Sequence, residues 1–321
     1  MGLTVEEAAP IHRTLFTEFC LQEMTAGGPD PQVKLTAEAV KAHYLTADSD
    51  KAVLAGLFVV PYSCAGAAIL WRLWERKPDP LEWVPWLEQH GTIIPIRKER
   101  RPVKGAWGRF SVCAASYVDW CNDEYPKVAG LPYADVYDSL TKHVKYVGRY
   151  AAMKLLETLV QADLIAYGQD TMVPRDAKFP RRTMALLMPD LTPILVDKGH
   201  SHDGEIDALC ARIKDGIESR IEMPVSWFQI ETMLCIYRQS LKGKYPMGRH
   251  DSELGHWHST MQKVGPQMEA ELNLQFPFSQ LRRNIYELKY LGEWNEPPWF
   301  GIRPELEEAR KERMNALGVA G

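Results

Sequence analysis

Residues 52–71, AVLAGLFVVPYSCAGAAILW, are twenty consecutive uncharged residues, and they limit the fold more tightly than any other stretch. A helix of that length either spans a bilayer or is buried by the rest of its own chain. Pro61, Tyr62 and Ser63 interrupt the run near its middle, and proline lacks the N–H that a continuous helix needs there. Two short buried helices meeting at Pro61 are therefore expected, with no membrane contact. A chain of 321 residues, 45% hydrophobic and 25% charged, is large enough to bury them.

Elsewhere apolar residues recur at three- and four-residue spacing over 4–24, 35–46, 110–121, 133–141, 150–166, 204–219, 225–241, 254–274, 278–290 and 303–316, the period of amphipathic helices. Pro132, Asp203 and the pair Ser226 and Gln229 stand where helix starts are expected, the last as a capping box. Strand-like alternation is confined to 92–97 and 185–196. The expected fold is mainly α and two-lobed. The Trp- and Pro-rich run 74–91 and the loop 188–205 lack the composition of free linkers, so they read as ordered connections. The corresponding regions are 1–104, 105–200 and 201–321.

The net charge of −4 supplies no global field for a polyanion, so any such partner must be held by local patches. Two basic segments punctuated by proline, 96–104 and 174–182, read as loops. The six cysteines are far apart without a CxxC, which reads as reduced, buried thiols. With an acidic N-terminus lacking an apolar core, this points to the cytoplasm.

Residues 135–157, DVYDSLTKHVKYVGRYAAMKLLE, place a helix, a tight turn and a second helix in succession. Val144, Val147 and Gly148 occupy three places of a hydrophobic-x-Gly-hydrophobic-Gly turn, whose glycines let backbone N–H groups reach a DNA phosphate. Tyr146 stands where the first glycine belongs. Lys145, Tyr146, Gly148 and Arg149 are the candidate DNA contacts. The stretch resembles the helix-hairpin-helix DNA glycosylase superfamily. In that superfamily an aspartate follows the hairpin within Asp-Thr-x-hydrophobic-x-Arg, and residues 170–175, DTMVPR, fit with Asp170 and Arg175. Tyr150 occupies the place of the nucleophilic lysine of the lyase members, so Schiff-base chemistry is not implied.

A second cluster lies in 227–254. Trp227, Ile230, Leu234, Tyr237 and Leu241 form an apolar stripe for a core, while Glu231, Cys235, Arg238 and Lys242 share another helical face. Lys244, Arg249 and His250 follow in a glycine-containing loop. A carboxylate and several cations on one face suit a phosphate or pyrophosphate, and an exposed face with a Glu–Arg pair is the plainer alternative.

The ETMLC core with its following arginine, the KGK-Y-x-x-G-R loop and the altered hairpin KYVGRYAA together resemble the phage α-glutamyl/putrescinyl thymine pyrophosphorylases, also described as amino acid:DNA transferases. The resemblance covers about residues 105–255. It implies double-stranded DNA carrying phosphorylated or pyrophosphorylated 5-hydroxymethyluracil, an amino acid or polyamine donor, and the cytoplasm of an infected bacterial host. The amine joins the methylene carbon and phosphate or pyrophosphate leaves. Arg238, Lys242, Lys244 and Arg249 suit the leaving group, and Glu231 or Asp170 suits the proton of the incoming ammonium. The base is expected to flip out of the duplex.

No GxxxxGK[ST] is present, so a separate DNA base kinase must activate the base. No cofactor is expected. A covalent route would use Cys64, Cys113 or Cys235. His200, His202, His256 and His258 admit metal binding or a role as polar loop residues, and no metal site is assigned. No GxSxG or GxGxxG occurs. Two alternatives stay open: a monofunctional glycosylase using Asp170, and a non-catalytic DNA-binding protein.

Overall fold

The computed structural model describes residues 4–25, 28–97, 102–169, 178–189, 203–222 and 224–241. It is mainly helical, and no strand occurs among the described residues. Those residues fall into two compact units, one of residues 4–31 and 169–241, the other of residues 32–168.

The second unit is built around the uncharged run. Helix α2 spans Pro31–Ala42, α3 Asp48–Val59 and α4 Cys64–Arg76, with the expected break at Pro61 between the last two. Residues 52–55 and 57–60 have no solvent exposure, as expected of a helix apolar on all sides. Helices α4, α6 (Trp107–Asp123) and α9 (Arg149–Gln161) pack around α3. Gly56 lets α6 come close, since a Cβ there would stand 3.2 Å from the Tyr117 ring. Among the described residues no helix is long and apolar enough to cross a membrane.

The Trp- and Pro-rich run is ordered, as expected. Its 3-10 turn Pro80–Trp83 leads into α5 (Val84–His90), and Trp83 is fully buried with its indole N–H donating to the Lys77 carbonyl at 2.8 Å. Trp71 and Trp120 are likewise buried, their indoles donating to the Leu54 carbonyl and to Ser139 Oγ. The unit closes with α7 (Tyr125–Val128) and α8 (Tyr133–His143).

Helices α1 (Val5–Thr25), α10 (Lys178–Leu187), α11 (Asp203–Ile221) and α12 (Trp227–Leu241) form the first unit. Phe16 and Phe19 of α1, Met184 and Leu187 of α10, and Ile230 and Leu234 of α12 share its core. A reciprocal capping box opens α12: the Ser226 N–H donates to Gln229 Oε1 at 2.8 Å and the Gln229 N–H to Ser226 Oγ at 3.2 Å. Thr4 and Glu7 open α1 in the same way.

Four expectations are corrected. Residues 92–97 are not a strand, because the segment ends a 3-10 turn, Gly91–Ile93, and meets no strand; the Arg97 N–H donates to the Pro61 carbonyl at 3.1 Å. The described part of 185–196 is the end of α10, and that helix also takes residues 178–182 of the basic segment read as a loop. Pro180 sits in its first turn, where a missing N–H costs no helical bond. The helix expected over 150–166 stops at Gln161, because Asp163 adopts φ +59° and accepts an ion pair from Lys41 at 2.8 Å. Residues 98–101 and the helices expected over 254–274, 278–290 and 303–316 lie outside the described residues.

Candidate nucleic-acid interface and buried polar residues

Helices α8 and α9 are joined by five residues, 144–148. Val144 is buried and donates its N–H to the Leu140 carbonyl at 2.9 Å, ending α8, while the Lys145 N–H donates to Ser116 Oγ at 3.0 Å. Tyr146 then adopts φ +60°, the left-handed conformation that a glycine would supply at the same place. Its side chain points outward and is 44% exposed. The tight turn thus forms without the first glycine.

Gly148 caps α9 with φ −97° and ψ 171°, angles open to any residue. A Cβ there would meet nothing within 4 Å, so glycine leaves the approach to the helix N-terminus clear. First-turn N–H groups and the positive end of the helix dipole favour an anion at such a place. No carboxylate occurs between Asp138 and Glu157, whereas Lys142, His143, Lys145, Arg149 and Lys154 do. Lys142, Lys145 and Tyr146 are exposed around the turn, and Arg149 is half-buried.

Behind this turn lies a polar chain that the periodicity of the sequence conceals. Half-buried Tyr150 and buried Tyr62 share a hydroxyl–hydroxyl hydrogen bond of 2.8 Å. Tyr62 itself stands at φ +51°, with the Arg97 guanidinium 5.8 Å from its ring centre. One turn along α9, the Lys154 ammonium lies 5.9 Å from the Tyr150 ring and pairs with Glu157 at 2.7 Å. A lysine and a glutamate three apart within the otherwise apolar stretch 151–157 were the available signal.

Glu231 and Arg238 stand in the other unit, on α12. They lie two turns apart, but the face they share is not an open one. Glu231 has 0% exposure, while Cys235 and Arg238 are half-buried. The stripe expected to be covered is buried at Ile230, Leu234 and Tyr237 and half-buried at Trp227 and Leu241. Helices α1, α10 and α11 all pack on α12, so both faces are enclosed at its N-terminal end.

Two further ionisable groups belong to the same layer. His12 Nδ1 lies 3.3 Å from the Tyr237 hydroxyl, and a Cβ on Gly28 would stand 3.6 Å from Gln229 Nε2, so α1 and α12 run antiparallel. Arg13 donates to the Leu187 carbonyl at 2.8 Å and Thr183 to the Leu234 carbonyl at 2.7 Å, so α10 runs parallel to α12. Glu23 of α1, Arg181 of α10 and Glu231 of α12 are each buried within this packing. The sequence reading missed Glu23 and Arg181, because their burial is set by α1 and α10 packing on α12, helices distant along the chain. Burial, with Asp207 and Glu231 nearby, pushes the Cys210 thiol up to about 12.

Asp170, Arg175, Lys242, Lys244, Arg249 and the histidines at 200, 202, 256 and 258 lie outside the described residues. Among the described residues no cluster of His, Cys, Asp or Glu suits a metal ion. Of the cysteines considered for a covalent route, Cys64 and Cys113 are buried and Cys235 is half-buried. No protein-family model, curated protein or solved structure matches the chain.

Proposed function

We propose that this protein modifies DNA bases, transferring an amino acid or polyamine amine onto the methylene carbon of phosphorylated or pyrophosphorylated 5-hydroxymethyluracil. The observation that carries the DNA-binding half of this reading is the left-handed Tyr146. The residue that departs from the hairpin pattern nevertheless takes the backbone angle the pattern requires. With the turn closed in this way, the clear approach at Gly148 and the cations around it suit a phosphate.

The chemistry balances as a displacement. The amine nitrogen bonds to the methylene carbon as the carbon–oxygen bond to the phosphate or pyrophosphate breaks, and the ammonium proton passes to a carboxylate, for which Asp170 is the candidate because Glu231 is fully buried. Arg238, with Lys242, Lys244 and Arg249, offsets the charge gathering on the departing oxygen. A separate DNA base kinase supplies the activated base, and the reaction needs no cofactor.

The test is the mass of nucleosides released from DNA containing 5-phosphomethyluracil or 5-pyrophosphomethyluracil after incubation with this protein and a pool of amino acids and polyamines. A nucleoside heavier by one amine adduct is expected, and Arg238→Ala should abolish it while leaving the helical content intact. Abasic sites in place of the adduct would establish a glycosylase. Unchanged nucleosides with retained DNA binding would establish a binding protein without catalysis.

A further inference from the structure

We infer that the first unit carries a second ligand site, a groove for an amphipathic organic anion, formed by α1, the end of α10 and α11. The groove has a volume of about 360 Å³, within the range of small-molecule sites. Its floor is apolar, made by Phe16, Leu187 and Ile217, all buried. Arg13, Arg212 and Arg220 line it, and no carboxylate does among the described residues.

The arrangement follows from helix geometry. Arg212, Gly216 and Arg220 are spaced four apart and so lie in one row along α11. Gly216 is midway, and a Cβ there would meet nothing within 4 Å, so the wall between the two arginines is low. Glycine inside a helix costs about 0.5–1 kcal/mol against alanine, and packing within the protein does not require it here. Arg13 is anchored from the opposite side, where one of its N–H groups donates to the Leu187 carbonyl at 2.8 Å and the rest of the guanidinium keeps its donors.

Three guanidinium groups over an apolar floor recognise a carboxylate or phosphate attached to an apolar body. Inorganic phosphate would leave the floor wet, and a neutral alkyl chain would leave the cations unmatched. A bare polyanion such as a nucleic-acid backbone would likewise bury no apolar surface. The shared chemistry of a fatty-acyl carboxylate and an alkyl phosphate therefore fits the site.

Calorimetric titration of the full chain with decanoate, decyl phosphate, decanol and inorganic phosphate tests this. Saturable binding of decanoate or decyl phosphate is expected, with decanol and inorganic phosphate each about tenfold weaker or worse. The tighter of the two anions identifies a carboxylate or a phosphate ligand. The double variant Arg212→Ala/Arg220→Ala should weaken the anion about tenfold or more at unchanged melting temperature. Gly216→Leu keeps every arginine, favours the helix and fills the groove, and it should block binding as well. Binding of decanol as tight as that of decanoate and decyl phosphate, no binding of either anion, or undiminished binding in either variant would overturn the assignment.

Discussion

Lys154 and Glu157, one turn apart on α9, form an ion pair of 2.7 Å in which the side chains are 0% and 2% exposed. Removing one member of a buried pair strands the other charge, whereas replacing both with apolar residues removes the desolvation cost as well. Glu157→Ala should therefore lower unfolding stability by about 3–5 kcal/mol, while Lys154→Met/Glu157→Leu should stay within about 1 kcal/mol of the parent. Urea denaturation measures both. If the double variant were the less stable of the two, the pair would be contributing more than its burial costs.

Tyr146 stands at φ +60°, a conformation that costs an L-residue roughly 1–2 kcal/mol and glycine almost nothing. Tyr146→Gly should raise stability by up to about 1 kcal/mol and keep the turn closed, so that DNA binding persists and weakens only by the contact of the tyrosine side chain itself. Tyr146→Val, with a branched side chain ill suited to that angle, should lower both. Denaturation midpoints and filter binding of duplex DNA check the two halves separately.

Hairpin cations that touch phosphates should show it in the dependence of binding on salt. Lys145→Ala and Arg149→Ala should each weaken duplex binding uniformly across sequences and flatten the slope of log K against log salt by about one. An unchanged slope in both variants would move the DNA contact away from the α8–α9 turn.

Glu75 is held in α4 by three partners. Burial alone would raise its carboxyl, yet hydrogen bonds from His43, Arg72 and Tyr44 outweigh that and hold it down at about 2. A folded pKa below the unfolded value near 4.5 contributes stability that is present above pH 4.5 and is lost as pH falls toward 2. Glu75→Gln should cost roughly 2 kcal/mol at neutral pH. Melting temperatures of parent and variant between pH 7 and pH 3 should converge toward the acid end.

Thiol reactivity should be selective. Five cysteines are buried and Cys235 alone is half-buried. Burial raises the Cys20, Cys121 and Cys210 thiols, so the nucleophilic thiolate is scarce there. In the native protein one thiol per chain should react with Ellman's reagent before the rest, and Cys235→Ser should remove that phase.

Much of this architecture was legible locally. Pro61 divides α3 from α4 because a missing N–H acts within one turn, and Ser226 with Gln229 opens α12 because a capping box spans four residues. Apolar spacing marked α1, α6, α8, α11 and α12 for the same reason. It failed at residues 178–182, where proline and arginines read as a loop but α10 packs on α12 strongly enough to order them.

The sequence by itself determined that this chain is helical, where most of its helices begin, and that a tight turn lies between residues 143 and 149. These depend on hydrogen bonds and side-chain periods a few residues long. Tertiary structure decided the left-handed angle at Tyr146 and the burial of Glu231, Lys154, Glu23 and Arg181. Each of these is fixed by which helix packs on which, and residues more than a hundred apart meet only when burial of the core sets that order.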